Sequence, residues 1–158
     1  MIEIAEDDPR RADIVALIEE HLEDMRAWSP PESIHALDLE GLVAPDMTFW
    51  SAREAQPDGA LLGIAALRDL GDGTGELKSM RTPRAARGRG VGRALLEHAI
   101  AAALTRGYAA LHLETGSQEQ FVAARTLYAS RGFVVTGPFA GYTADPNSTF
   151  MRLDLERA

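Results

Sequence analysis

Residues 86–98 read Ala-Arg-Gly-Arg-Gly-Val-Gly-Arg-Ala-Leu-Leu-Glu-His. Glycine loses more backbone freedom on folding than any other residue, so three of them in five positions need a reason: unusual torsions or a close approach to the chain. The preceding stretch, ELKSMRT (76–82), reads as a strand. The following one places Leu95, Leu96, Ala99, Ile100, Ala103 and Leu104 at helical spacing, which predicts a helix over about 91–105 ending near Gly107. The first turn of a helix has N–H groups with no internal partner and the positive end of the helix dipole. A glycine loop leading into such a turn is an anion site, phosphate above all. Arg87, Arg89 and Arg93 add cationic donors around it.

Two common phosphate loops do not fit. A P-loop requires lysine followed by Ser or Thr, and the only lysine of the chain, Lys78, lies on the strand before the loop. A dinucleotide fingerprint follows the first strand of a parallel unit, whereas this loop follows a late strand. Working outward from it, MIEIAE reads as a first strand and RRADIVALIEEHLEDM as an amphipathic helix carrying Ile14, Leu17, Ile18, Leu22 and Met25. Prolines in AWSPPES break that pattern, and Ser33 to Val43 reads as a short second helix. TFWSARE and GALLGIAALRDL are strands, the second apolar enough to be buried on both faces. GDGTG turns it back into ELKSMRT as an antiparallel partner. After the helix come a strand (YAALHLET), a helix over about 119–130, and the strands GFVVTGPF and STFMRLDLE. The order is β-α-α-β-β-β-α-β-α-β-β.

Composition limits the partners. Asp and Glu number 24 against 16 Lys and Arg, a net charge of −8, which opposes nucleic-acid binding. The basic cluster between Arg81 and Arg93 suits a small polyanion. With no cysteine there is no disulfide, thiolate metal site or thiol nucleophile. No signal-peptide pattern and no membrane-length apolar run is present, so the expectation is a single soluble cytoplasmic domain over 1–158 with no bound metal.

Residues 87–92, Arg-Gly-Arg-Gly-Val-Gly, match the (Q/R)-x-x-G-x-(G/A) signature, and the chain resembles the GNAT superfamily of N-acetyltransferases. Leu127-Tyr128, three residues and Gly132-Phe133 resemble the family's L-Y-x-x-x-G-F segment, and the element order agrees over essentially the whole chain. The resemblance implies an α+β fold with a mixed, mostly antiparallel sheet of about seven strands and four helices, splayed between the fourth and fifth strands. It implies acetyl-CoA as acyl donor, the pyrophosphate on the loop around Gly88, Arg89, Gly90, Val91, Gly92 and Arg93, with Arg87 of the signature beside it. The pantetheine arm would pair with Met80, Arg81 and Thr82, and a backbone N–H near Met80 would polarise the thioester carbonyl. Two departures stand out: Pro83 precedes Arg87 by four positions where three is common, and Phe121 occupies a position that is asparagine in many members.

The family's acid maps onto Tyr128, a phenol protonated at neutral pH. For the base, Glu76 ranks first: in a regular strand it shares a face with Lys78 and Met80 and so points toward the acetyl site. His112 and Glu114, sharing a face of the next strand, are alternatives. Glu32, His35, His112, Glu114 and Tyr142, with Trp28, Ser29 and Asn147, are acceptor-side candidates by position; Glu32 and Asp38 favour a cationic amine. The expected activity is direct transfer of acetyl to a primary amine of a small molecule, amino-acid-like compound or peptide. The other class in play is an acyl-CoA sensor without turnover. Dimers are common in the family, so a homodimer is possible.

Overall fold

A computed structural model describes residues 1–34, 39–55 and 59–155. One seven-stranded sheet runs in the order β1-β2-β3-β4-β5-β7-β6, with β1 Ile2–Glu6, β2 Met47–Glu54, β3 Leu61–Asp69, β4 Gly75–Arg81, β5 Ala110–Gly116, β6 Val134–Thr136 and β7 Ser148–Asp154. Among the described residues four α-helices accompany it: α1 Ala12–Trp28, α2 Leu39–Leu42, α3 Val91–Thr105 and α4 Val122–Ser130. Every strand pair is antiparallel except β4 with β5, which are parallel because α3 crosses over between them. No helix among the described residues is long and apolar enough to cross a membrane.

β3 is buried on both faces, as its unbroken apolar run predicts. Ile64 and Ala66 join Ile14, Leu17 and Ile18 of α1 in one core. Ala65 and Leu67 join Leu95, Leu96, Ala99 and Ile100 of α3 in the other. The α1 stripe changes role along its length. Its first two turns make core; its later positions His21, Met25 and Trp28, on the same face, line a cavity.

Several elements differ from their sequence expectation. The helix expected over Ser33 to Val43 is a 3-10 turn at Pro31–Ser33 followed by the single turn of α2, with 35–38 outside the described residues. The helix expected from Glu119 opens as a 3-10 turn and is α-helical only from Val122. The strand GFVVTGPF shrinks to three residues. Most consequential is β4, expected to be regular. Its pairing with β3 passes from Ala66 opposite Lys78 to Ile64 opposite Arg81, so Ser79 and Met80 together oppose Ala65. Ser79 has φ 54°. This is a β-bulge, and it ends the simple alternation that would put Glu76 and Met80 on one face.

The β4–β5 pairing is confined to three positions: Gly75 opposite Leu111, Glu76 opposite His112 and Leu77 opposite Leu113. Beyond them the strands part, as the resemblance implies. The N-terminus of α3 sits over β3 at Gly63, where an added Cβ would meet Leu95 and Val91 at 2.9 Å and the Arg81 carbonyl at 3.1 Å. Gly63 therefore sets how closely the start of α3 approaches the sheet. Gly63→Ala is expected to destabilise the fold by about 1–3 kcal/mol through overpacking, seen as a lowered Tm and denaturation midpoint.

Candidate active site

The loop before α3 adopts the geometry its glycines permit. Gly88 and Gly90 have φ of 80° and 79°, and a Cβ at either would meet nothing within 4 Å. The left-handed torsions are what require glycine there; the space above the loop is open. Gly92 lies within the first turn of α3, where a Cβ would meet only Leu127, at 3.5 Å. The N-cap of α3, Gly90, has no side-chain cap, and no acidic residue stands in the first turn. The arginines divide. The Arg89 guanidinium pairs with Glu54 at 2.7 Å, and Arg93 reaches Ser130 at 3.5 Å. Arg87 donates from Nε to the Thr82 carbonyl at 3.4 Å and lines the cavity.

Where β4 and β5 part, a cavity of about 380 Å³ opens toward this helix end. Its walls are residues 76–82 of β4 and its extension, 113–116 of β5, the α4 face carrying Ala124, Leu127 and Tyr128, and the α1 face carrying His21, Met25 and Trp28. Trp28 meets Phe121 edge-on, ring centroids 5.6 Å apart, closing one end. Phe121 fills the space against Gly116, where a Cβ would come within 2.2 Å of its ring. The departure from the family's asparagine is thus a packing solution.

Leu77 and Leu113 point into the α3 core, so Glu76 and Glu114 point to the opposite face. Glu76 is 1% exposed. Its Oε2 accepts hydrogen bonds from the Tyr142 hydroxyl at 2.5 Å and the Lys78 ammonium at 3.2 Å; Lys78 also donates to the Tyr142 hydroxyl at 2.8 Å. Oε1 is buried and has no partner among the described residues. Glu114 is half-buried, and burial, reinforced by Glu76 and Asp145 and partly offset by Ser148 and Lys78, pushes its carboxyl up to about 7. Tyr128 is buried, and burial together with the nearby Glu114 pushes its phenol up to about 12. Burial, then Glu76, drives the Tyr142 phenol higher still.

The α1 wall is held by an ion network built on the buried Arg81–Asp24 pair. Arg81 turns its guanidinium onto Asp24, with Glu20 at 3.5 Å, and Arg84 bonds Asp24 at 2.8 Å. The end of the Arg81 guanidinium is therefore tied to α1, while its Nε has no partner among the described residues. His21 lies beside it; burial first, then the Arg81 charge, lower its imidazole to about 4, so it is neutral at physiological pH. At the mouth, Ser33 donates to Asp145 at 2.5 Å and Gln118 to Asn147 at 3.1 Å, tying the Pro31–Ser33 turn, the loop after β5 and the loop before β7 together.

Of the other sequence candidates, Met80 and Thr82 of the β4 wall and Ser29 and Asn147 line the cavity. Tyr142 reaches it through Glu76. Glu32 is exposed and outside it. His35 and Asp38 lie outside the described residues. His112 is also outside: it stacks on Phe139 at 4.6 Å, and burial lowers its imidazole. His21, Met25 and the Asp24–Arg81 pair are site residues that the sequence reading missed. The signal for the first two was present, since the α1 stripe continues past what the core needs.

The acetyltransferase (GNAT) family model matches residues 14–133. The uncharacterized N-acetyltransferase YsnE of Bacillus subtilis is 49% identical over 149 residues, 94% of this chain and 97% of the relative. YedL of Escherichia coli, also an uncharacterized N-acetyltransferase, is 44% identical over 155 residues, 98% of this chain and 96% of the relative. Among solved structures, a candidate acyl-CoA N-acyltransferase of Klebsiella pneumoniae aligns with a TM-score of 0.82 at 30% identity, covering 99% of each chain. A sheet parted beside a glycine loop, and relatives of this closeness along nearly the whole length, lead to one conclusion: the chain belongs to the GNAT family of acetyltransferases.

Proposed function

We propose that the chain is a single-domain N-acetyltransferase that moves acetyl from acetyl-CoA directly to a primary amine, with Glu114 as general base and Tyr128 as general acid. The observation that carries this reading is the placement of a desolvated carboxyl and a desolvated phenol in the cleft between the parted strands. The uncapped first turn of α3, free of acidic side chains and preceded by two open glycines, fits the pyrophosphate. Arg87 stands beside it, and the backbone of Met80 to Thr82 is the edge for the pantetheine arm. Acetyl-CoA supplies an acyl thioester; its carbon–sulfur bond breaks as the nitrogen–carbon bond forms.

The residues account for the protons. An ammonium of ordinary pKa, near that of lysine at about 10.4, faces a carboxylate of about 4.3 across a gap of roughly six units, on the order of 8 kcal/mol. With Glu114 at about 7 the gap is about half that. Proton transfer is then steep but compatible with turnover, and Glu114 stays largely ionised at pH 7.5. Tyr128, protonated at every physiological pH, donates to the departing sulfur. The sequence ranks Glu76 ahead of Glu114 as base. Glu114 is preferred here because Oε2 of Glu76 is already engaged by Tyr142 and Lys78.

Thiol release against an amine panel tests the reading. The acidic limb of kcat/KM should have an apparent pKa of about 7, falling tenfold per unit below it, and Glu114→Gln should abolish that limb along with about 10²–10⁴ of the rate. Tyr128→Phe is expected to lower kcat by about 10² or more while acetyl-CoA affinity is kept. An unaffected Tyr128→Phe enzyme removes the tyrosine from the mechanism. The pyrophosphate cradle is tested at Gly92, whose torsions tolerate a side chain. Gly92→Val should weaken acetyl-CoA binding in calorimetry by about tenfold or more at little cost in Tm, whereas valine at Gly90 would strain the backbone itself.

A further inference from the structure

Glu76 is unusual among the buried groups. A buried carboxylate oxygen without a hydrogen-bond partner is costly, and native structures keep few of them. Tyr142 and Lys78 both hold Oε2, so the carboxylate cannot rotate to satisfy Oε1 without breaking those bonds. Among the described residues Oε1 is left unpartnered, on a residue that lines the cavity. Glu76 pairs with His112 across the parallel strands, and Glu114 lies two residues further along β5 on the same face. By strand spacing and rise their Cα atoms are roughly 8 Å apart, room for one nitrogen between the two carboxyl groups.

The surroundings restrict what that nitrogen is attached to. Of the cations lining the cavity, Lys78 is held by Glu76 and Tyr142, a terminal nitrogen of Arg81 is held by Asp24 and Glu20, and Arg87 stands at the loop end. A carboxylate on the carbon bearing the amine would face Glu76 and Glu114 with its natural partners already taken. Met25, Trp28, Ile34 and Phe121 give the lining an apolar, aromatic patch, with Ser29, Ser33 and Asn147 beside it. We propose that the acceptor is a primary amine on an apolar, aromatic-sized body with no carboxylate beside the nitrogen, and that Oε1 of Glu76 holds its ammonium while Glu114 removes the proton. Glu76 is then a substrate-binding residue and the Lys78–Tyr142 pair positions it. This rests on the acetyl-transfer reading above.

Phenethylamine and phenylalanine, identical but for the carboxylate, are the probes, with acetyl-CoA held saturating. The wild-type enzyme should favour phenethylamine by about tenfold or more in kcat/KM. Glu76→Gln should raise the KM for phenethylamine by about tenfold or more with kcat within a few-fold and acetyl-CoA affinity unchanged. Equal or better use of phenylalanine overturns the proposal, as does an unchanged KM in a folded Glu76→Gln protein; if that variant does not fold, the wild-type comparison decides alone. Acetyl-CoA binding without turnover of phenethylamine overturns the acceptor class only. Failure of the wild-type protein to bind acetyl-CoA counts against the transfer reading itself.

Discussion

The parting of β4 from β5 is the constraint on which the rest of this molecule depends. Parallel neighbours joined by a crossover helix would ordinarily stay paired along their length. Here the ladder stops after Leu77 and Leu113, and the bulge at Ser79 and Met80 turns the remainder of β4 aside. A bulge leaves its extra residue outside the ladder and bends the strand. The sheet thereby keeps an internal edge, with backbone groups available to a ligand that lies along it. The same parting places α3, whose start is fixed over Gly63, at the head of the gap.

Holding strands apart is costly, and the buried ion network shows where the gap is propped. Arg81 leaves the bulged strand for Asp24 and Glu20 on α1, and Arg84 joins them. Removing one partner of a buried pair strands the other charge, which is far worse than never having buried either. The network is therefore a positional device: it fixes α1 against the diverging strand and so fixes His21, Met25 and Trp28 as a wall. Arg125 does the equivalent on the far side, donating to the carbonyls of Gly116 at 2.6 Å and Gln118 at 3.1 Å where β5 ends. A basic cluster that reads in sequence as an anion site is thus divided, with Arg81, Arg84 and Arg89 serving the frame.

Much of this was legible in the sequence, and the parts that were not share a cause. Element order, the doubly buried β3 and the glycine loop follow from local patterns, an unbroken apolar run and helical spacing after Val91; the parted strands follow from the family resemblance that the signature carries together with Leu127-Tyr128 and Gly132-Phe133. The bulge at Ser79 has no local signal, because serine at positive φ is imposed by the packing around it. Ranking Glu76 as base rested on an unbroken alternation that the bulge destroys. Glu114 gains its character from burial between elements far apart in the chain, which no spacing encodes. His112, its neighbour on the same face, shows the converse: two residues away, the strand has already closed, and Phe139 covers it.

Cost and function coincide in the cavity. Among the described residues seven buried side-chain polar atoms lack partners, and four of them, on His21, Glu76, Ser79 and Arg81, belong to cavity-lining residues. A fold optimised for stability alone would satisfy or remove them. Three of the four are on β4 and its bulge and the fourth, His21, is on α1, so they gather along the parted strand and the helix it is tied to. Among the unpartnered atoms there are a carboxylate oxygen of Glu76, the hydroxyl of Ser79 and a nitrogen of the neutral His21 imidazole, while the start of α3 has backbone N–H groups without a side-chain cap. Strain at Ser79 and desolvation at Glu114 add to the cost on the two strands that part. Polar groups kept unpaired in the folded state are preorganised for a ligand, and their cost falls on stability before binding.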